Sequence, residues 1–193
     1  MPNSINDHRK EWKSKAEIDY FAPFFNLWQA CNSWYKSHYS NLSPSPDREF
    51  IEEIKSDYTT RNHIFTRFEK LMEGTDKVSL QFRSNLEQLY YALNSEPIST
   101  EKGIQIDISK WEEKDSQGNI QQVKLIKVKK RVSKNHIRLG ESSIVINDYK
   151  KVFSVLFEAI YQARNLLVHG EMEPNERTHA IVKYCYSILW ELI

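Results

Sequence analysis

The sequence predicts a mainly α-helical fold, a bundle of about five helices that carries a small β-rich insertion at about residues 98–147. Two observations predict it. Most of the chain repeats apolar residues at spacings of three and four, which places them on one face of a helix. Between residues 98 and 147 the pattern changes to an alternation of period two and to runs of Val, Ile and Lys, which favour strands. A length of 193 residues, of which 40% are hydrophobic, suits a single domain over residues 1–193.

Aromatic residues dominate the first helical segment, which follows a polar arm at residues 1–17. Pro23 fits only near the start of a helix, so we expect the regular helix to begin there. Aromatic residues also lie on the other faces, which predicts a helix that is central in the bundle or lies in a dimer interface. The helical spacing is carried by Phe21, Phe24, Trp28, Cys31, Tyr35 and His38.

The following helices are bounded by turn residues and capping residues. Residues 47–73 carry two apolar stripes, which predict one or two helices with Asp47 as the N-cap. Gly74 is a suitable C-terminal stop. Asp76 is predicted to cap a further helix, which ends at residues 94–97.

Three strands and a turn are predicted inside the insertion. The first strand is Ile104–Ile108, where apolar and polar residues alternate. A turn is predicted at residues 116–119, and a second strand lies within residues 122–132. The third is Ile144–Ile146.

The last two helices are predicted to form an antiparallel pair joined by a short turn. The first of the pair, at residues 148–168, ends at Gly170, and the second runs to the end of the chain. The apolar stripe of the first helix of the pair steps by 4, 3, 4, 3 and 4 residues through Tyr149, Phe153, Leu156, Ile160, Ala163 and Leu167.

Composition excludes several classes of protein. A net charge of +1 means that any nucleic-acid site must be a local patch. Two cysteines, Cys31 and Cys185, make neither a disulfide framework nor a zinc site, and we expect no metal and no cofactor. No apolar run is long enough to span a bilayer, and residues 1–9 lack the apolar stretch of a signal peptide. We therefore expect a cytoplasmic protein without a membrane contact.

A short polar motif ends the helix at residues 148–168. It consists of Arg164, Asn165, three apolar residues and His169, followed by Gly170. The negative end of a helix dipole favours a protonated His, and an imidazole near neutral pH can act as a general acid or base. An arginine can bind a phosphate and stabilise the charge of a phosphoryl transition state. Asn165 shares the face of His169 and could orient its ring.

The geometry of an ideal helix limits this site. Arg164 lies about 140° around the helix from His169. The two converge on one substrate only if the helix end unwinds or a second subunit contributes. In the alternative interpretation, Arg164 caps helix carbonyls or pairs with Glu158 or Glu171, and His169 simply ends the helix.

The motif and the helix pair from about Tyr149 to Ile193 resemble the HEPN family (higher eukaryotes and prokaryotes nucleotide-binding). Its members are all-α domains whose signature is an Arg, a polar residue, three to five further residues and a His. The aromatic helix at residues 21–39 also looks like the first helix of several bacterial HEPN-like proteins. The resemblance implies a homodimer in which two Arg/His pairs face one cleft. It further implies metal-independent RNA cleavage, often in toxin–antitoxin or phage-defence systems, so an antitoxin or defence-system partner is an expected partner.

In the reaction that the resemblance implies, one His takes the proton of a ribose 2′-OH and a second His protonates the leaving 5′-oxygen. The two arginines stabilise the phosphorane, and the products carry a 2′,3′-cyclic phosphate and a 5′-OH. Arg164 and His169 are the predicted catalytic residues, with Asn165 in support. Two alternatives remain open: a non-catalytic HEPN-like module that binds RNA, a nucleotide or a partner protein, and a helical interaction scaffold.

A basic run within residues 121–140 is a second candidate site, because it contains no acidic residue. Its predicted RNA contacts are Lys127, Lys129, Lys130 and Arg131. It could equally be an edge strand whose lysines prevent aggregation. Acidic residues within 101–115 could pair with it and neutralise it.

Overall fold

The computed structural model describes residue 13 and residues 18–95, 98–99, 105–128, 137–139, 144–146 and 148–193. These residues form a mainly helical fold, which confirms the predicted fold class. The predicted N-terminal arm lies outside them, apart from residue 13. The helices are α1 (Phe21–His38), α2 (Asp47–Ser56), α3 (His63–Glu73), α4 (Lys77–Ser95), α5 (Tyr149–Val168) and α6 (Glu176–Leu192).

The helices pack around a core rich in aromatic side chains. α6 packs against α1 and α4, α2 packs against α5, and α3 packs against α4. Helix α1 buries the face that its spacing predicts, including Phe24, Trp28 and Tyr35. The Trp28 ring lies 6.3 Å from that of Phe157, which joins α1 to α5. Burial of these large rings stabilises the bundle, because each ring removes a large apolar area from water.

The strands of the described residues all lie between residues 98 and 146 and form three small antiparallel sheets. Apolar residues from this segment, among them Ile108 and Leu139, are buried in the same cluster as the helix residues. The segment is therefore packed onto the bundle rather than separate from it. The strand pairs are β1 (Ile98–Ser99) with β2 (Gln105–Ile106), β3 (Lys110–Lys114) with β4 (Ile120–Lys124), and β7 (Ile144–Ile146) with both β5 (Ile126–Val128) and β6 (Ile137–Arg138).

Gly74 and Asp76 act as the sequence predicts. Gly74 follows α3 directly, and the Asp76 carboxylate accepts hydrogen bonds from the N–H groups of Val78 and Ser79 at the start of α4. The prediction for Asp47 is wrong, since Pro46 is the N-cap of α2 and Asp47 is its first helical residue. The proline supplies an extended conformation at the cap, and the Asp47 side chain is used elsewhere.

The insertion differs from its prediction mainly in strand length. Of the predicted strand Ile104–Ile108, residues 105–106 are extended and paired. The predicted second strand is divided at Leu125, a buried residue between β4 and β5, and residues 129–132 lie outside the described ranges. The turn at residues 116–119 is confirmed, with Gly118 at a φ of 86°. Among the described helices, none combines the length and the apolar character needed to cross a bilayer.

Candidate functional site

The end of α5 is built by a glycine in the left-handed conformation. Gly170 has a φ of 70°, and its N–H donates to the Leu167 carbonyl at 3.3 Å. The N–H of Glu171 donates to the Leu166 carbonyl at 2.9 Å. These two bonds form a Schellman motif, which satisfies the last carbonyls of the helix. The motif leaves His169 as the C-cap residue, exposed on the surface.

Asn165 does not orient the His169 ring as the sequence predicts. Its backbone carbonyl accepts the His169 N–H at 2.9 Å, which is a helix bond. Its side-chain Oδ1 instead accepts a hydrogen bond from Nη1 of Arg164 at 2.9 Å. Asn165 therefore fixes the arginine, while the imidazole forms no hydrogen bond or ion pair within the part of the chain that the structure describes.

Arg164 lies half-buried between α5 and α1. Its side chain is 17% exposed, and its guanidinium carbon lies 5.8 Å from the centre of the Trp28 ring. Nη2 lies 3.8 Å from Oδ2 of Asp47. At this distance the Asp47 carboxylate attracts the guanidinium but is too far away to accept a hydrogen bond from it. The Nη2 donors of Arg164 are therefore not used by Asp47.

The Asp47 carboxylate, at the start of α2, contacts side chains from α1 and α5. Oδ1 lies 3.0 Å from Nζ of Lys36, and Oδ2 accepts a hydrogen bond from Nδ2 of Asn32 at 3.3 Å. The alternative interpretation correctly expects Arg164 to pair with a carboxylate, but among the described residues that carboxylate is Asp47 and not Glu158 or Glu171. Glu158 lies 2.7 Å from both Arg48 Nη1 and Lys55 Nζ.

Two buried N–H groups at this contact have no hydrogen-bond partner among the described residues, namely Nε of Arg164 itself and Nε1 of Trp28. The hydroxyl of Tyr35 is buried beside Asp47. Burial raises the pKa of Tyr35, and the negative charge of Asp47 raises it further. The hydroxyl therefore stays protonated, and the region around Arg164 keeps unused donors.

The position of Arg164 relative to His169 follows from the regularity of α5. The helix continues without a break to Val168. At 100° per residue, the two side chains leave the axis about 140° apart. The helix end does not unwind to bring the two side chains together within one chain, so their convergence on one substrate would require a second subunit.

Two cavities that described residues line lie away from the motif. One of about 560 Å³ lies between α4 and α6. The other, of about 180 Å³, lies where α1 and α3 meet the end of the chain. Neither is lined by Arg164, Asn165 or His169.

The predicted RNA-binding run is described in part. The backbone of Lys127 lies in β5, opposite Val145 of β7. Lys129, Lys130 and Arg131 lie outside the described residues. The acidic strand β3 pairs with β4 and not with β5, so strand pairing does not place its carboxylates opposite Lys127.

Sequence reasoning missed the role of Asp47 and the cavity between α4 and α6. The role of Asp47 could not be predicted from the sequence, because its partners lie on other helices. The sequence does indicate a polar surface here, since α4 carries the carboxamides Gln81, Asn85 and Gln88 on one face of the helix.

The described residues contain no group of three or more His, Cys, Asp or Glu side chains that could hold a metal ion. Burial raises the pKa of both Cys31 and Cys185 to about 12, which keeps these thiols protonated and unreactive. No protein-family model, no curated protein and no solved structure matches the chain. The chemistry of the site must therefore be argued from its own residues.

Proposed function

We propose that the protein is a HEPN-type, metal-independent endoribonuclease of the cytoplasm that acts as a defence effector or toxin. The observation that carries the proposal is the end of α5. There an arginine fixed by its neighbouring Asn165 precedes His169, which is exposed and has no hydrogen-bond or ion-pair partner among the described residues, at a glycine-terminated helix end. This arrangement supports the use of Arg164 and His169 as a catalytic pair.

His169 is suited to proton transfer because its ring is exposed and an imidazole can accept a proton at one nitrogen and donate one from the other. It takes the proton of a ribose 2′-OH as O2′ forms its bond to phosphorus. The bond from phosphorus to O5′ then breaks, and His169 of a second copy supplies the proton to the leaving oxygen. One histidine removes a proton and the other supplies one, so the step is balanced in protons by the two side chains alone.

Arg164 is suited to charge stabilisation at the phosphorus. Asn165 and Asp47 hold its guanidinium against Trp28, so little side-chain entropy is lost when substrate binds. The 3.8 Å contact with Asp47 leaves N–H donors for the phosphorane oxygens. A homodimer with the two α5 ends around its two-fold axis supplies both pairs to one RNA strand.

The test is cleavage of mixed RNA by the purified protein in EDTA, followed by analysis of the product ends. We expect 2′,3′-cyclic phosphate and 5′-OH ends from the wild type and from His63→Ala, which removes another exposed histidine. His169→Ala should abolish cleavage and leave the melting temperature unchanged. Cleavage by His169→Ala at the wild-type rate would exclude the proposed mechanism.

The arginine has its own matched pair of variants. Arg164→Lys keeps the charge but loses the planar fork of donors, so we expect cleavage to fall by about a hundredfold. Arg61→Lys is the control, because Arg61 also lies 3.8 Å from an aspartate carboxylate but belongs to the loop between α2 and α3, away from the end of α5. Equal activity of the two variants would argue against a role for Arg164 in the chemistry.

A non-catalytic binding module is the second candidate. The observation that favours it is the contact of Arg164 with Asp47, which engages the guanidinium internally. Such a module would bind RNA in the same assay without cleaving it, and His169→Ala would not change that result.

A further inference from the structure

The cavity between α4 and α6, which we call the α4–α6 groove, is not used by the proposed reaction. Its volume of about 560 Å³ is in the range of small-molecule sites. The side chains that matter for its chemistry are Gln81, Asn85 and Gln88 from α4 and Lys183, Tyr186 and Trp190 from α6.

An exposed aromatic pair forms the α6 wall of the groove. Trp190 is 60% exposed, although tryptophan has the largest apolar side chain and Trp28 is fully buried. Its ring centre lies 5.9 Å from that of Tyr186, at an interplanar angle of 36°. An indole held against a second ring at the mouth of a cavity offers a flat surface on which a planar ligand can stack.

Carboxamides form the opposite wall. Nε2 of Gln81 donates to Oδ1 of Asn85 at 3.3 Å, which orients both amides within the groove. Gln88 follows on the same face and is exposed. A carboxamide presents a donor beside an acceptor, the pattern that pairs with the edge of a nucleobase, adenine above all.

Among the described residues that line the groove, Lys183 is the cation that could meet a phosphate. Nζ of Lys183 lies 5.9 Å from the ring centres of both Tyr20 and Tyr184 and is exposed to solvent. The nearby carboxylate of Glu191 lies 3.7 Å from Nη2 of Arg67, which balances its charge. The groove is thus slightly cationic where Lys183 lies.

We propose that the α4–α6 groove binds a nucleobase, which stacks on Trp190, accepts and donates hydrogen bonds with the carboxamides, and places its phosphate near Lys183. A free nucleotide and a base of single-stranded RNA share this chemistry. The inference deepens the proposed function and rests on it for the choice of RNA. A protein partner fits less well, because stable protein interfaces bury roughly 800 Å² on each side around an apolar centre, whereas amides and hydroxyls dominate here.

The test measures binding separately from cleavage. A short fluorescent oligodeoxyadenylate lacks the 2′-OH and so cannot be cut by the proposed reaction, and its anisotropy reports binding to the full chain. Trp190→Ala should weaken binding about tenfold, the effect of losing one stacked base. Phe25→Ala is the matched control, because it removes an aromatic side chain that is 38% exposed on α1, outside the groove. Melting temperatures of both variants should stay at the wild-type value.

Competition identifies the source of the base. Displacement of the oligonucleotide by adenosine monophosphate would assign the groove to a free nucleotide, and displacement by oligoadenylate RNA alone would assign it to an RNA segment. Unchanged binding by Trp190→Ala, or no binding of either probe by the wild type, would overturn the proposal. So would a shift of Trp190→Ala from dimer to monomer with binding unchanged, which would identify the groove as a subunit interface.

The binding experiment can be interpreted whether or not the protein cleaves RNA. If RNA is never cleaved but Trp190→Ala still loses the oligonucleotide, the groove proposal holds and the ribonuclease proposal fails. If His169→Ala stops cleavage while Trp190→Ala binds normally, the reverse is true.

Discussion

At the scale of single residues, Gly170 decides where the candidate catalytic histidine lies. Its φ of 70° belongs to the left-handed region, in which residues with a Cβ are strained. No atom lies within 4 Å of the position that a Cβ would take, so the requirement for glycine is conformational and not steric. The same residue lets the Schellman bonds form that end α5 at His169.

Gly170→Ala should lower the free energy of unfolding by about 1 kcal/mol, which is roughly 2–4 °C in melting temperature for a chain of this size. Gly118→Ala is the matched control, since Gly118 also has a positive φ of 86° and open space around it but lies in the β3–β4 turn. We expect similar thermal losses from both and a loss of RNA cleavage from Gly170→Ala alone. Normal cleavage by Gly170→Ala would mean that the helix end does not position His169.

At the scale of elements, side chains from the loops fasten the helices to each other. Asn62 is fully buried between α2 and α3. Its Nδ2 donates to the carbonyls of Ile54 and Asp57 at 2.9 Å each, and its Oδ1 accepts from the N–H of Phe65 at 3.1 Å. One residue thus ends one helix and begins the next, which is why residues 47–73 form two helices.

Asn62→Ala should cost about 3 kcal/mol of unfolding free energy, because two buried carbonyls and a helix N–H lose their partner together. Asn175→Ala removes an exposed N-cap from α6 and should cost about 1 kcal/mol. Urea unfolding followed by circular dichroism measures both. Equal losses would contradict a bridging role for Asn62.

The junction of α2 and α5 should depend on pH through Glu158. Burial alone raises the pKa of this carboxyl, but hydrogen bonds from Arg48, Lys55 and Gln162 outweigh burial and hold the pKa below its ordinary value of 4.5. A lowered folded-state pKa stabilises the protein above the unfolded pKa, and this stability is lost as the pH falls through the folded value. Glu158→Gln should therefore be less stable than the wild type by about 1 kcal/mol at pH 7, with the difference shrinking below about pH 4.5. Thermal unfolding across that range measures it, and a difference that persists in acid would exclude the ion pairs as its cause.

At the scale of the whole molecule, the candidate site is incomplete in one chain. Arg164 and His169 leave α5 about 140° apart, and α5 is regular to its end. The homodimer is therefore a requirement of the proposed chemistry and remains a prediction.

Light scattering after gel filtration should give twice the chain mass of 22.9 kDa. The RNA cleavage rate per chain should fall on dilution below the dimer dissociation constant. A monomer that cleaves RNA with a rate per chain independent of concentration would rule out the shared site.

The sequence by itself determined the helices, their buried faces, the glycine stops and the Arg164–Asn165–His169 motif, because each depends on spacing within a few residues of chain. Helical period and capping are local properties, and so they can be read in one dimension. Only the tertiary structure decided which carboxylate meets which cation. Asp47 binds Arg164, and Glu158 binds Arg48 and Lys55, because α2 packs against α5 across about a hundred intervening residues. Such partners are fixed by the packing of whole helices, which brings together side chains whose separation in sequence carries no trace of the contact.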